Sequence, residues 1–348
     1  MTDPDARSEL RLSMAEAEAL MARAFAASGA SALQAASTAR ALALAEASGQ
    51  GGHGMVRTPV YAACVAAGKI DGTAIPTEER TGPGTLRVDA GLGFAYPAWD
   101  MALGALPRIA REQGIAIASI VRSNHFGVAG LQAEALAEAG CVALVFGNAT
   151  ACMPPWGGAA PMFGTNPIAF AAPVPGGPPL VIDMATSAVT KGRILAMKAA
   201  GETEVPEGWA LTRDGRPTTD IDEAVDGLVA PMAGPKGAAL AMVVEVMSAC
   251  LGGGLLACQT SSLLDDVGPP PDLAQTAIAI DPESASGGAY AKKMTELMER
   301  FGAVEGARVP GSRRLSARAQ AEAKGLAPHP NLVARIRAIA ETGADPHA

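Results

Sequence analysis

Aromatic side chains are scarce: three Trp, three Tyr and seven Phe make up 4% of the 348 residues, so a core has to be built mainly from Ala, Val, Leu, Ile and Met. Charged residues are also few, 18% against 49% hydrophobic, which excludes global disorder. Cations are outnumbered, 27 Lys and Arg to 35 Asp and Glu, and the formal net charge is -8. That balance argues against nucleic acid or an anionic membrane as partner. The five cysteines (Cys64, Cys141, Cys152, Cys250, Cys258) form no C-x-x-C pair and no Cys/His cluster at ligand spacing. No disulfide framework or metal site is expected, and a reducing compartment is the natural reading. The N-terminus lacks the basic-then-apolar pattern of a leader, so the expected location is cytoplasmic. No uninterrupted apolar run is long enough to span a bilayer. Residues 237–257 come nearest but are broken by Glu245 and by Gly252, Gly253 and Gly254, and they read as a buried helix.

Common catalytic signatures are missing too. No G-x-G-x-x-G follows a strand, since Gly91-x-Gly93 lacks its third glycine, and G-x-S-x-G, the Walker loop and H-E-x-x-H are absent. A Rossmann site, a serine hydrolase, an NTPase and a zinc protease are all disfavoured.

What is present is a chain of two-domain length. Ser13 with Glu16, and Ser31 with Gln34, are spaced as capping boxes, and Gly29 and Gly49 are placed to end the helices they open. A glycine-rich connector, 50–57, leads into a helix after Pro59. Short β-like runs at 85–88, 115–121, 141–146, 167–171 and 180–182 alternate with helical patterns at 99–113 and 131–139, which predicts mixed α/β structure. Helices return at 236–251 and 289–301, from Ser316 to Gly325, and at 331–341. The terminal segments are expected to pack together, with the sheet inserted between them.

Of four histidines, His329 and His347 sit in polar surroundings near the C-terminus, whereas His53 and His125 draw notice. His53, Arg57 and Tyr61 recur at four-residue spacing, so one helical face can present an imidazole, a guanidinium and a phenol, a set suited to a small carboxylate. The plainer alternative is a helix cap and a surface ion pair. His125 follows the 115–121 run at a strand-to-helix turn, where a helix dipole would lower its pKa; the alternative is a buried, backbone-bonded histidine. Lys236 opens an apolar helix behind Pro235, Arg313 and Arg314 follow a Pro-Gly turn, and Asp183 ends a strand beside Thr186 and Ser187. Individually these are ordinary turns and surface.

In order, however, HGMVRTPVY (53–61), SNHFG (123–127), PWGG (155–158), FGTNPIAF (163–170), DMATS (183–187), PEGWAL with GRPTTD (206–220), PKG (235–237) and VPGSRR (309–314) resemble the type-2 malate/L-lactate dehydrogenase family over nearly the whole chain. The resemblance implies a non-Rossmann, large mixed-sheet NAD(P)-binding domain (76–288) with a helical domain from 1–75 plus 289–348, and a homodimer. It implies hydride transfer between NAD or NADP and C2 of a small 2-oxo/2-hydroxy acid, with a cyclic imine acid, or a non-catalytic cofactor-binding homologue, as alternatives. His53 and His125 would flank the reacting carbon and one of them, as imidazolium, would protonate the substrate; which one stays open. Asp183 would orient a histidine, Arg57 would hold the substrate carboxylate and Tyr61 would support it. His125, Thr165, Asn166, Ala185, Thr186, Ser187, Lys236, Gly237, Ser312, Arg313 and Arg314 match the cofactor-contact segments. Lys191 is a further candidate for a 2′-phosphate, and Ala149 and Met153 suggest a modestly apolar pocket wall. One departure stands out: the serine that usually precedes the first-motif histidine is Gly52 here.

Overall fold

The computed structural model describes residues 10–345; the leader reading at the extreme N-terminus and His347 lie outside the described residues. Ser13 opens α1 (Met14–Ala27) with a complete capping box: its hydroxyl accepts from the Glu16 N–H while the Glu16 carboxylate accepts from the Ser13 N–H at 2.8 Å. Ser31 caps α2 (Ala32–Ala47), but the box stays half-formed. The Gln34 side chain is buried and directed elsewhere, donating to the Ala74 carbonyl at 2.6 Å and accepting from the Phe94 N–H at 3.0 Å. Two short 3-10 turns, Gly51–His53 and Met55–Arg57, lead into α3 (Thr58–Ala66), which has proline in its first turn.

The chain then alternates through β1 (Thr77–Gly82), β2 (Thr85–Asp89), α4 (Ala95–Gln113), β3 (Ile115–Ser123), α5 (Ala129–Glu138), β4 (Val142–Gly147), β5 (Ile168–Ala172) and β6 (Leu180–Met184). A small lobe follows, made of α6 (Lys191–Ala199), β7 (Ala210–Leu211), β8 (Pro217–Thr218), α7 (Ile221–Asp226) and β9 (Leu228–Val229). Next come α8 (Pro235–Glu245), which runs on as a π-turn, Val246–Cys250, then β10 (Leu273–Ile280), α9 (Pro282–Ser286), α10 (Tyr290–Gly302), α11 (Ser312–Lys324) and α12 (Pro330–Thr342).

The seven-stranded sheet has the order β1-β2-β3-β10-β4-β5-β6, with β2 and β3 parallel and all other neighbours antiparallel, so it is a mixed sheet as expected. All five anticipated runs lie in it. Its central strand β10 was not anticipated, because Gln275 and Thr276, both fully buried, interrupt the apolar pattern that marks a strand. Helices α4 and α5 cover the sheet through Trp99, Leu106, Ile109 and Leu136 against Ile120 and Val145, with Ala98, Ala102, Ala133 and Ala143 filling the close approaches. Each fully buried Leu or Ile there is worth about 2 kcal/mol. A second core gathers Met21, Phe25, Leu42, Tyr61 and Ile336 from α1, α2, α3 and α12, and an antiparallel bridge pairs Leu12 with Leu326. The two terminal segments therefore do pack together.

The 236–251 segment departs from expectation. Ala238, Ala241, Val244 and Glu245 are buried, but Met242, Val243, Val246 and Leu251 are each about half exposed, so the helix carries an uncovered apolar face. No helix among the described residues is long and apolar enough to cross a membrane.

Candidate active site

The connector before α3 is fixed from below by α2. The Glu46 carboxylate accepts from the Met55 N–H at 2.9 Å, and a Cβ on Gly54 would come within 2.2 Å of the same carboxylate, so only glycine lets the chain pass this close. Burial raises the Glu46 pKa. The turn so held carries His53 and Arg57 to one cavity. Arg57 anchors itself through Nε, which donates to the Gly52 carbonyl at 2.8 Å, leaving its terminal nitrogens for a ligand.

His125 reaches the same cavity from the turn after β3, where its N–H donates to the Asn124 side-chain oxygen at 2.8 Å. The two imidazoles stack, with centroids 5.2 Å apart and planes 20° from parallel. Behind them, the Tyr61 hydroxyl is hydrogen-bonded to His125 Nδ1 and lies 3.4 Å from the Tyr96 hydroxyl. Tyr61 is therefore buried against His125 and outside the cavity lining, where the resemblance put it with Arg57 in binding the substrate.

Burial first, and the Arg57 guanidinium second, push the His53 imidazole down to about 4. Burial, Arg57 and His53, in that order, hold His125 well below the usual range. Burial, joined by Arg57, thus lowers both pKa values; for His125 the helix dipole was the expected cause. Both rings are neutral near pH 7 in the ligand-free protein, and the expected imidazolium is not its resting state. Tyr61 is raised to about 12, chiefly by burial, so it remains a phenol. A phenol that donates to Nδ1 leaves the imidazole proton on Nε2. His53 Nδ1 is buried with no hydrogen-bond partner among the described residues.

Asp183 makes no hydrogen bond to either histidine among the described residues. Its carboxylate accepts from the Gly130 N–H at 2.9 Å, in the first turn of α5, and burial raises its pKa.

The cavity has a volume of about 640 Å³. His53, Arg57, His125, Thr165, Asp183 and Ala185 line it. Other expected contacts do not, each for a physical reason. Asn166 is fully buried and donates to the Glu245 carboxylate at 2.9 Å and to the Ala241 carbonyl at 3.1 Å. Thr186 donates to the Thr165 carbonyl, and Ser187 to the Val189 carbonyl. Lys236 is exposed at the start of α8, and Gly237 is packed so closely that an added Cβ would sit 2.0 Å from the Met232 carbonyl. Arg314 is buried against Glu134 at 2.9 Å, and its neighbours Ser312 and Arg313 lie outside the lining. Met153 belongs to a third core with Phe163 and Ile194, whereas Ala149, with Asn148 and Thr150 beside it, lines the cavity.

Sequence reasoning missed Gln50, Gly192, Arg213 and Asp226, which also line the cavity. It read Glu245 only as a charge in an apolar run. That buried carboxylate accepts from Asn148 at 3.2 Å, from Asn166 and from the Ala257 N–H at 2.7 Å, tying three segments around the cavity together. A lone acid amid apolar residues is a signal for such a hub.

A sequence profile for malate/L-lactate dehydrogenase matches residues 12–337. The chain belongs to the malate/L-lactate dehydrogenase family. Membership makes it an NAD(P)-dependent dehydrogenase or reductase, the class implied by its motifs. It is 41% identical to the (2R)-3-sulfolactate dehydrogenase (NADP(+)) of Chromohalobacter salexigens over 303 residues, 87% of this chain and 90% of that one. It is 38% identical to a Δ1-pyrroline-2-carboxylate/Δ1-piperideine-2-carboxylate reductase of Pseudomonas putida over 328 residues, 94% of this chain and 96% of that one. The crystal structure of Δ1-piperideine-2-carboxylate reductase from Pseudomonas syringae superposes with a TM-score of 0.89 at 36% identity, covering 95% of this chain and 99% of that one.

The cavity of this family member fits a nicotinamide cofactor. Its volume is in the range of small-molecule and cofactor sites, and the first turn of α6, with Thr190, Lys191 and Gly192, lines it and presents backbone N–H groups suited to a phosphate. The unpartnered His53 Nδ1 is the kind of buried polar atom that a bound ligand or water satisfies.

Proposed function

We propose that the chain transfers a hydride between NAD or NADP and C2 of a small 2-oxo/2-hydroxy carboxylic acid. The observation that carries this reading is the stacked pair of neutral imidazoles sharing one cavity with a half-buried guanidinium whose terminal nitrogens are open. When bound, the reduced nicotinamide supplies the hydride. In reduction, C2 gains that hydride and its oxygen gains a proton.

Arg57 takes the substrate carboxylate with its terminal nitrogens, the arrangement in which a guanidinium is strongest. That pairing offsets the positive charge that depresses both imidazoles and so raises the proton affinity of His53. His125, locked by Tyr61 in one tautomer, offers its Nε2 proton as a fixed hydrogen-bond donor to the oxygen that gains charge. His53 has a nitrogen left over and is the group that delivers the proton, a role worth roughly 100-fold or more in turnover. Thr165 and Ala185 contact the cofactor. Asp183 holds the start of α5 at the cavity rim and acts on the reaction only through that helix.

Reduction of a cyclic imine acid is the second reading, favoured by the likeness to the Pseudomonas reductases; it needs the same hydride and proton, with the imine nitrogen in place of oxygen. The cofactor site is non-Rossmann in this reading, built on the mixed sheet of a domain spanning 76–288, with 1–75 and 289–348 forming the helical domain. The protein works in the cytoplasm as a homodimer, and the apolar face of α8 supports the dimer. Cofactor oxidation measured with NADH and NADPH against a panel of 2-oxo and imine acids tests the reading. Turnover of at least one acid is expected, and falls on His53→Asn; cofactor binding without turnover of any acid would leave only a non-catalytic homologue.

A further inference from the structure

The sequence reading did not use Lys69, and the reaction as described does not need it. Lys69 is nonetheless 3% exposed, and its ammonium group donates to three carbonyls of one loop: Ser262 at 2.7 Å, Asp265 at 2.9 Å and Val267 at 2.7 Å. The Asp265 carboxylate lies 3.4 Å away. Burying a lysine is costly unless its donors are satisfied, and here one short loop satisfies them all. The same loop is pinned at a second point, where the Thr150 hydroxyl donates to the Ser261 carbonyl at 2.7 Å. Between these anchors, Ser262, Leu263 and Leu264 line the cavity beside Ala149, Thr150 and Ala151.

The loop's position in the cavity follows from what it leans on. Lys69 and Cys64, whose Sγ lies 3.5 Å from the Asp265 carbonyl, belong to the C-terminal end of α3 and the turn after it. Arg57 precedes the N-terminal end of that helix. The loop therefore leans on the helix that Arg57 precedes, and it lines the same cavity as Arg57. Cations are distributed unevenly around it. Arg57 is the cation with open terminal nitrogens, while Lys191 donates to the Ala224 and Gly227 carbonyls and Arg213 pairs with Asp226, both in the lobe. The lining that the loop contributes, Ser262, Leu263 and Leu264, is apolar and hydroxylic.

We propose that Lys69 is a positioning residue that fixes loop 261–268 as the substrate-side wall, and that this wall selects acids bearing one carboxylate and an uncharged side group. The proposal rests on the hydride-transfer reading and narrows its substrate class. An acid with a second anion would set that charge against Leu263 and Leu264, side chains that offer it neither a cation nor a hydrogen-bond donor.

The test compares 2-oxovalerate and Δ1-piperideine-2-carboxylate with oxaloacetate and 3-sulfopyruvate, using wild type, Lys69→Met and Leu263→Ala, with NADPH binding followed separately by fluorescence. The wild type is expected to favour the single-carboxylate acids by about tenfold or more in kcat/KM, the scale on which a pocket wall discriminates. Both variants are expected to raise KM for those acids about tenfold, with kcat and NADPH affinity nearly unchanged, the split that marks lost substrate binding. Leu263→Ala keeps the buried lysine and so stands alone if Lys69→Met does not fold. A wild-type preference for the dianionic acids, or an unchanged KM in Leu263→Ala, overturns the proposal. Absence of turnover with all four acids would instead remove the functional reading, and the proposal with it.

Discussion

Replacing Arg57 separates two things the guanidinium does at once. Its Nε is fixed on the Gly52 carbonyl, so its terminal nitrogens remain to grip a carboxylate, and its charge is the second cause of the low His53 pKa. Two charge-assisted hydrogen bonds at about 1.5 kcal/mol each amount to about 3 kcal/mol, or roughly 100-fold in substrate affinity. Arg57→Gln loses both fork and charge. It should raise KM for the acid roughly 100-fold and move the His53 midpoint upward from about 4, toward the ordinary value near 6.5. Arg57→Lys keeps the charge but not the planar fork, so KM should rise while the midpoint stays low. Cofactor absorbance gives KM, and an NMR titration of the His53 ring in ligand-free protein gives the midpoint. A Gln variant whose KM stays within about threefold of wild type, or whose His53 midpoint falls, refutes the reasoning.

Three further substitutions probe the surroundings. Tyr61→Phe leaves His125 Nδ1 and the Tyr96 hydroxyl without their partner, which should cost about 1–3 kcal/mol in chemical denaturation and lower kcat by releasing the His125 tautomer. Unchanged stability and rate would show that Tyr61 does not position the ring. Gly52→Ser meets nothing within 4 Å of its Cβ, so stability should stay within about 0.5 kcal/mol. Turnover should also hold, because the His53, His125 and Tyr61 arrangement does not run through position 52; a gain of about tenfold or more would show that the missing hydroxyl limits the rate. Glu134→Gln uncouples a buried carboxylate from Arg314 and Arg318, and should destabilise the protein by about 3 kcal/mol or more, since it leaves the buried Arg314 guanidinium without its counter-charge and Arg318 with only the Ser48 hydroxyl. A loss below about 0.5 kcal/mol would mean that solvent replaces the pair.

Much of the fold was legible because its signals are local. Ser13 and Glu16 close their box with no help from tertiary structure, and the strands that later form most of the sheet carry apolar runs bounded by turn residues. What escaped depends on long-range partners. Strand β10 has Gln275 and Thr276 in its middle, and reads as a strand only once Gln275 has donated to the Asn124 carbonyl and Thr276 to the Met247 carbonyl. At the site, residue types at helical spacing were enough to bring His53 and Arg57 forward, a strand-to-helix turn singled out His125, and motif order joined them in one site. Their electrostatics were not readable. The low pKa values come chiefly from burial, and the partner of His125 is a tyrosine 64 residues away in sequence. Asp183 and Arg314 show the converse: each resembles a functional residue by type and position, yet each meets a nearby structural partner, the Gly130 N–H and Glu134.

The central claim is that a hydride reaches C2 of a small acid beside two stacked imidazoles. Turnover with nicotinamide deuterated at C4, followed by NMR of the product, tests it most directly. The account predicts deuterium on C2 of the 2-hydroxy or cyclic amino acid, lost together with turnover in His53→Asn. Product that carries its deuterium on another carbon, or a His53→Asn protein as fast as wild type, would contradict it.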